Sequence, residues 1–389
     1  MIKDCILIHY HEIGLKGDNK SWFEKILLNN IRKKLNKSQY SSIEKNASRI
    51  FIFGIDPNQW GNYANLLKEI IGVKNALLVK SLNADISNIN NISNEIISNE
   101  KNISTFRIST KRQYKNYQYT SQEVNQIVGS FIIDKNDIKV QLNNADLNLV
   151  IELVKGRAYI GHKKCAGIGG LPVGSGEKAM SLISSGIDSP VASFQLIKRG
   201  VSLSYIHFHS YPATSKKSIS NVKDILKQLN KYQFESSLTT VPLLDVQQEI
   251  MKMTPDKYWV ILFRRMMLRI SEYFALKENS KVLITGENIG QVASQTLSNI
   301  SAISDSISMP IIRPLAGYNK EEIINDARVI GTYDISIRPY DDCCSFFVPT
   351  HPKTMSKIDE IIKLESKYNV DELTQMAINC SQIERIGDY

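Results

Sequence analysis

The segment SSGIDSP at residues 184–190 has the residue types of a phosphate-binding turn. It follows an apolar run at 180–183 and precedes a helix-forming stretch, so a strand would lead through the turn into a helix. Backbone N–H groups and hydroxyls converge at such a helix start, where the helix dipole favours an anion. The segment is not a Walker loop, since the sequence has no G-x-x-x-x-G-K-[ST]. Taken alone, it is more often a plain helix cap than a nucleotide site.

Cys343 and Cys344 are the second candidate for chemistry. They follow Asp341 and Asp342 in a stretch with neither helical nor strand periodicity, and such loops carry function more often than packing. A thiolate is a nucleophile and sulfur carrier, whereas the alternative is a pair of small buried hydrophobic residues. The other cysteines are scattered and no C-x-x-C pair occurs. The sequence therefore predicts no disulfide framework, structural zinc site or iron–sulfur cluster.

Positive charge is concentrated in the N-terminal part of the chain. Residues 1–165 contain 24 Lys and Arg against 15 Asp and Glu, whereas residues 166–389 contain 24 of each. This asymmetry favours a polyanionic partner over a uniformly solubilising surface. Within it, Lys111, Arg112 and Lys115 alternate with tyrosines at 114, 117 and 119. These residues have the chemistry to pair with phosphates and stack on bases, and a solvated basic turn is the alternative.

The elements that position these residues fall into two groups. In the first, short strands are predicted at 5–10, 48–53, 76–80, 105–110, 139–142 and 148–154, and helices at 19–35, 66–71, 84–98 and 121–131. A glycine-rich stretch at 167–176 is the best domain boundary. Beyond it, strands are predicted at 179–183, 202–208, 237–242 and 281–286, and helices at 189–199, 217–230, 258–277 and near 320–330. Such alternation predicts a parallel, doubly wound sheet. The sequence shows no membrane span or signal peptide, so we expect a soluble cytoplasmic protein.

The turn at 184–189 resembles the S-G-G-x-D-S loop of the PP-loop ATP pyrophosphatases, which adenylate a carbonyl oxygen and release pyrophosphate. Further blocks resemble one branch of that superfamily, the tRNA 4-thiouridine synthetases: EIGLKG at 12–17, GGLPVG at 169–174, DSPVA at 188–192, RRM at 264–266, TGE at 285–287, GQVASQT at 290–296, RPL at 313–315 and KEEII at 320–324. The resemblance covers almost the whole chain. One departure is Ser185, where the family has a glycine. If that position needs a positive φ, serine costs about 1 kcal/mol.

The resemblance implies a ferredoxin-like domain at 1–60, an RNA-binding THUMP domain at 61–165, a linker at 166–178 and a PP-loop ATP pyrophosphatase domain at 179–389. It also implies an ATP site formed by Leu182, Ile183, Ser184, Ser185, Gly186, Ser189, His207, Phe208, Arg264, Gly286 and Gln295. Asp188 would order Mg²⁺ or the phosphates, and Lys320 would neutralise charge on the leaving pyrophosphate or the adenylated base.

The activity implied by the resemblance is ATP-dependent thiolation of a tRNA uridine, at position 8 in the family. ATP adenylates O4, and persulfide sulfur then replaces it at C4, with Cys344 matching the family's cysteine slightly better than Cys343. Long members add a rhodanese-like domain, which we do not expect here because the sequence ends at Tyr389. We therefore expect sulfur from these cysteines, a cysteine desulfurase or another persulfide or sulfide donor, and a thiamine-related role is less expected. A homodimer is one option for the assembly.

Two other classes of function stay open on the sequence alone. One is a PP-loop tRNA-modifying ligase that uses a nitrogen nucleophile and would not need Cys344. The other is a non-catalytic tRNA-binding protein in which Ser185 marks a decayed loop.

Overall fold

The computed structural model describes residues 2–113, 115–339, 347 and 349–387. The chain divides into two compact units, Met1–Pro172 and Val173–Tyr389. Across the described residues, no helix combines the length and apolar character needed to cross a membrane.

The first unit is a mixed sheet with helices. Its elements are β1 (Lys3–Tyr10), α1 (Lys20–Lys34), β2 (Ser42–Asn46), β3 (Arg49–Phe53), α2 (Trp60–Leu67), β4 (Val73–Asn83), α3 (Ile86–Asn99), β5 (Thr105–Arg112), α4 (Ser121–Ile133), β6 (Lys139–Val140), β7 (Leu147–Val154), β8 (Arg157–Gly161) and β9 (Lys164–Ala166). The strand order is β2-β3-β1-β4-β8-β7-β5-β6, and β9 pairs with β4. The pairing is antiparallel except where β5 meets β6 and β7.

Strand β1 is apolar over residues 5–8 because both of its faces are buried there. Ile6 and Ile8 pack in a core with Leu27 and Ile31 of α1. Residues of the opposite face pack in a second cluster, in which the rings of Phe51 on β3 and Tyr159 on β8 are 4.5 Å apart. β4 is bonded to β1 on one side and to β8 and β9 on the other. It therefore joins the N-terminal strands to the later ones in one continuous sheet.

The second unit is a doubly wound α/β domain. Its elements are β10 (Lys178–Leu182), α5 (Asp188–Ile197), β11 (Ser202–His209), α6 (Lys217–Gln233), β12 (Ser236–Pro242), α7 (Leu244–Met253), α8 (Trp259–Lys277), β13 (Leu283–Ile284), α9 (Leu297–Ser304), β14 (Ile311–Ile312), α10 (Lys320–Val329), α11 (Tyr333–Ser336), α12 (Ile358–Glu365), α13 (Val370–Asn379) and β15 (Gln382–Ile386). The strand order is β14-β13-β10-β11-β12-β15. All neighbours are parallel except β15, which runs antiparallel to β12.

The predicted fold class is confirmed, with local differences. The helix predicted at 66–71 is wrong beyond Leu67, because α2 begins at Trp60 and the chain turns before entering β4. Strands β2, β8, β9, β14 and β15 were not predicted. β2 and β15 contain no buried residue, so neither shows the apolar pattern that marks a strand in sequence. β8 was missed although most of its residues are buried. The sequence predicted an all-parallel sheet, but β15 adds an antiparallel strand at one edge.

Candidate nucleotide site

The turn at 184–189 connects the end of β10 to the start of α5. The hydroxyl of Ser189 accepts a hydrogen bond from the backbone N–H of Ser184 at 2.8 Å and lies 3.1 Å from the Ser184 hydroxyl. The N-cap position of α5 is Ile187, whose side chain makes no capping hydrogen bond. This argues against the plain-cap interpretation, because an apolar side chain cannot satisfy the first N–H groups of the helix.

Ser185 does not carry the backbone cost that a positive φ would impose. Neither Ser185 nor Gly186 is among the residues with positive φ. The Ser185 side chain is buried, with its hydroxyl lacking a hydrogen-bond partner among the described residues. The serine in place of the family's glycine is therefore compatible with the geometry of the turn.

A cavity of about 640 Å³ lies beside this turn, within the size range of small-molecule sites. It lies at the carboxyl ends of β10, β11 and β13, where doubly wound sheets bind ligands. Of the residues predicted for the site, those that line it are Leu182, Ile183, Ser184, Gly186, Asp188, Ser189, His207, Phe208, Arg264, Gly286 and Gln295. Ser185 is not part of the lining, and neither is Lys320.

Gly286 lies where the end of β13 meets the start of α5. A Cβ at this position would lie 2.6 Å from the backbone N of Ser189 and 2.8 Å from its Cα. Both atoms belong to the backbone, so no side-chain rotation relieves the contact. Only glycine allows the two segments to come this close.

His207 is a buried, neutral group in the cavity wall. Its Nδ1 lies 2.9 Å from the carbonyl oxygen of Ile183, and its Nε2 lies 3.3 Å from the hydroxyl of Ser218. Burial lowers the pKa of His207 to about 4, although the bond to the Ile183 carbonyl acts in the opposite direction. A neutral ring that donates from Nδ1 and accepts at Nε2 satisfies both contacts. The histidine thus holds the ends of β10 and β11 together.

Asp188 and Lys320 form an ion pair. The Lys320 Nζ lies 2.8 Å from Asp188 Oδ1, and Gln291 Nε2 lies 3.5 Å from Asp188 Oδ2. Both side chains keep access to solvent, with 25% of Asp188 and 46% of Lys320 exposed. The pair is therefore accessible to a phosphate-bearing ligand.

A buried carboxylate, Glu287, joins two arginines at the cavity. Its Oε1 lies 2.9 Å from Arg264 Nη1, and its Oε2 lies 2.6 Å from Arg313 Nε. Thr285 donates to Oε2 at 2.9 Å. Burial alone would raise the pKa of Glu287, but the two guanidinium charges outweigh it and lower the pKa. We call Arg264, Glu287 and Arg313 the Glu287 cluster.

Glu287 and Arg313 have no role predicted from the sequence, although they lie in the blocks TGE and RPL. Nothing in their sequence separation predicts that they pair. Lys257 and Lys353 also line the cavity and carried no signal at all, because exposed lysines are common in any sequence.

Cys343 and Cys344 lie outside the described residues. After them, the described Phe347 packs its ring edge-on to Phe263 of α8, with 6.4 Å between centroids. Further along, the amide of Asn299 donates to the carbonyl of Lys353 at 2.8 Å. Phe347 and Lys353 thus contact helices α8 and α9 of the second unit.

The predicted RNA contacts lie at the end of β5 in the first unit. Lys111 and Lys115 are exposed, whereas Arg112 is half-buried. Arg112 Nη1 donates to the carbonyl of Tyr119 at 2.8 Å, and the side chains of Tyr117 and Tyr119 pack against the core of α3, α4 and the sheet. The structure therefore presents the two lysines to solvent but uses Arg112 and these tyrosines to shape the loop.

The second unit has a parallel sheet, a Ser/Gly turn, a helix start without a side-chain cap, and a cavity at the carboxyl edge. These features define a doubly wound nucleotide-binding protein. Family models agree and are more specific. The model described as thiamine biosynthesis protein (ThiI) matches residues 174–370, that of the ThiI ferredoxin-like domain matches 5–76, and that of the THUMP domain matches 85–163.

Relatives match over nearly the full length. A probable tRNA sulfurtransferase of Thermoanaerobacter pseudethanolicus is 40% identical over 367 residues, covering 94% of this chain and 96% of the relative. One from Halothermothrix orenii is 38% identical over 392 residues, covering 98% of each. A solved 4-thiouridine synthetase in complex with RNA and bound ATP is 36% identical with a TM-score of 0.89, covering 99% of this chain and 100% of that one. The chain belongs to the tRNA sulfurtransferase (ThiI) family.

Proposed function

We propose that this protein is an ATP-dependent tRNA sulfurtransferase that makes 4-thiouridine, at position 8, in cytoplasmic tRNA. The observation that carries the proposal is the cavity, which brings residues from six other stretches of the sequence together with the turn at 184–189. The 4-thiouridine synthetase with RNA and ATP supports it, since the likeness extends over both units.

ATP is the proposed ligand of the cavity. Its phosphates would lie against the turn and the N–H groups of the first turn of α5. Adenine and ribose would lie against Leu182, Ile183, His207 and Phe208, with Arg264, Gly286 and Gln295 completing the site. Gln295 is 91% buried (9% exposed), and its side-chain oxygen has no hydrogen-bond partner in the described structure. A buried acceptor of this kind is expected to receive a hydrogen bond from the ligand.

Mg²⁺ would accompany ATP. Among the described residues, no group of three or more His, Cys, Asp or Glu side chains is arranged to hold a metal. A site with one carboxylate fits Mg²⁺, which takes most of its ligands from phosphate oxygens and water. We propose Asp188 as that carboxylate, with the Asp188–Lys320 ion pair separating as the nucleotide binds.

The proposed reaction has two steps. O4 of the uridine attacks the α-phosphorus of ATP and pyrophosphate leaves, while Lys320 neutralises charge on the leaving group or the adenylated base. The outer sulfur of a persulfide then attacks C4, and AMP leaves. Cys344 or Cys343 would carry the persulfide, and the other thiol would break the S–S bond, leaving a disulfide that a thiol reductant reopens. A cysteine desulfurase or another persulfide donor would load this cysteine by passing on its outer sulfur, whereas a sulfide donor would attack C4 directly and leave the cysteines unused.

The first unit would bind tRNA through its positive charge, with Lys111 and Lys115 contacting phosphates and Arg112 shaping the loop that carries them. If the protein forms a homodimer, each cavity would still be complete within one chain. The relatives favour thiolation over a nitrogen-using ligase and over a protein without catalysis.

The test is nucleoside mass analysis of tRNA incubated with the protein, ATP, Mg²⁺ and a cysteine desulfurase with cysteine as the persulfide donor. We expect 4-thiouridine and stoichiometric AMP. AMP without 4-thiouridine would favour the nitrogen-using ligase, whereas tRNA binding without AMP release would favour the non-catalytic alternative. An Asp188→Ala variant serves as control, because it should lose AMP release while retaining tRNA affinity.

A further inference from the structure

The Glu287 cluster differs from an ordinary ion pair in its charge. Two guanidinium groups share one carboxylate, so the three side chains carry one net positive charge. Glu287 is 4% exposed, and the side chains of Arg264 and Arg313 are 22% and 17% exposed. A charge that is shielded from water in this way needs a compensating anion. Arg264 lines the cavity and Arg313 does not, so the excess charge reaches a ligand through Arg264.

Each member of the cluster is held by a further contact. Arg264 Nη1 lies 3.2 Å from the hydroxyl of Ser294, and Arg313 Nη2 donates to the hydroxyl of Ser304 at 2.7 Å. These contacts fix the long arginine side chains before any ligand binds. A preorganised guanidinium loses less conformational entropy on binding than a free one.

We propose that Glu287 and Arg313 are positioning residues that fix the Arg264 guanidinium for the anionic part of the nucleotide. Glu287 sets the direction of Arg264. Arg313 takes up part of the charge of Glu287, so that Arg264 keeps its attraction for phosphate instead of being neutralised. This inference rests on the proposed binding of ATP and adds two residues that do not themselves touch the ligand.

The structure offers a matched control on the neighbouring face of the same helix. Arg265 and Arg269 of α8 hold the carboxylate of Glu365, with contacts from Arg265 Nε and Nη2 at 2.9 Å. Glu365 is 6% exposed and does not line the cavity. Glu287→Gln and Glu365→Gln therefore make the same chemical change in two buried carboxylates, each held by two arginines, of which only the Glu287 cluster reaches the cavity.

The experiment measures the Kd of ATP by calorimetry on the full chain, without tRNA, together with Tm. Glu287→Gln should weaken ATP binding by about tenfold, which corresponds to about 1.4 kcal/mol. Glu365→Gln should lower Tm but change Kd less than about twofold, a difference of roughly 0.4 kcal/mol. In the Arg264→Ala background, Glu287→Gln should cause no further loss of ATP affinity, because Glu287 acts only by positioning Arg264.

Three results would overturn the inference: unchanged binding by Glu287→Gln, tighter binding, or an additive loss in the double variant. Tighter binding would mean that Glu287 only attenuates the positive charge. If Glu287→Gln does not fold, Arg313→Lys tests the same point, since it keeps the charge but removes the fork between Glu287 and Ser304. Arg313→Lys should weaken ATP binding severalfold, and an unchanged Kd would again refute the proposed positioning role. Failure of the wild type to bind ATP would instead refute the proposed function.

Discussion

Replacing Gly286 with alanine should damage the nucleotide site by moving the backbone of the turn. The added Cβ would lie 2.6 Å from the backbone N of Ser189, whereas ordinary contact begins at 3.4 Å, so the segments must separate by about 0.8 Å. Overpacking of this kind costs about 1–3 kcal/mol, which corresponds to a fall in Tm of roughly 2–12 °C for a domain of this size.

The effect on nucleotide use should exceed the effect on stability. The atoms that must move are those of Asp188 and Ser189 at the start of α5, where we place the phosphates. A displacement near 1 Å in a catalytic geometry costs about a hundredfold in rate. We therefore expect kcat/KM for ATP, followed by AMP release with saturating tRNA, to fall by about that factor.

Gly317→Ala is the matched control for Gly286→Ala. A Cβ at Gly317 meets no atom within 4 Å, and its φ is not positive. This variant should keep both Tm and kcat/KM close to wild type. If Gly286→Ala kept kcat/KM for ATP within about twofold of wild type, or roughly 0.4 kcal/mol, the assignment of phosphates to this turn would be refuted.

Further predictions concern RNA binding, sulfur transfer and pH. Lys115→Ala should weaken tRNA binding and reduce the slope of log Kd against log salt concentration by about one. Arg112→Ala should weaken tRNA binding and also lower Tm, because the loop carbonyls lose their hydrogen-bond donor. Equal Tm values for the two variants would contradict this. Cys344→Ala should abolish 4-thiouridine but leave AMP release, and loss of both would argue against a late sulfur step. Burial alone would raise the pKa of Glu365, but the hydrogen bonds from its arginines lower the pKa overall. Ionised Glu365 therefore stabilises the fold at pH values above the pKa of this residue in the unfolded chain, and this stabilisation is lost as pH falls. Wild-type Tm should therefore drop more steeply than that of Glu365→Gln between about pH 5 and pH 3, and parallel curves would refute this.

Local patterns in the sequence predict the long elements well. The spacing of apolar residues matches burial on one face in helices α1, α6 and α8. It matches burial on one or both faces in the apolar strands of the two sheets, and the structure contains all of these elements. Two of the missed strands, β2 and β15, have little buried surface. β15 has one face open to solvent and its Ile383 is 53% exposed, so it forms through hydrogen bonds to β12 rather than through a pattern that its own residues display.

The site was predictable only as far as the resemblance reached. It named residues from distant stretches that the structure places around one cavity, and their roles remain proposals. The resemblance could not predict which side chains from distant parts of the sequence contact each other. Glu287 and Arg313 meet because β13 and β14 are neighbours in the sheet, and Gly286 is required because β13 ends against α5. Such contacts depend on the packing of elements and leave no periodic mark in the chain.

The shared strand β4 has a consequence for how the first unit unfolds. Lys80 is paired in register with Asp4 on one side and with Ile160 on the other, and Glu152 of β7 binds both Arg49 and His9 of the N-terminal strands. A fragment ending near residue 60 would leave the apolar edge of β1 open to other chains. The ferredoxin-like and THUMP parts should thus gain and lose amide protection against hydrogen exchange together, as one cooperative unit rather than two separable modules.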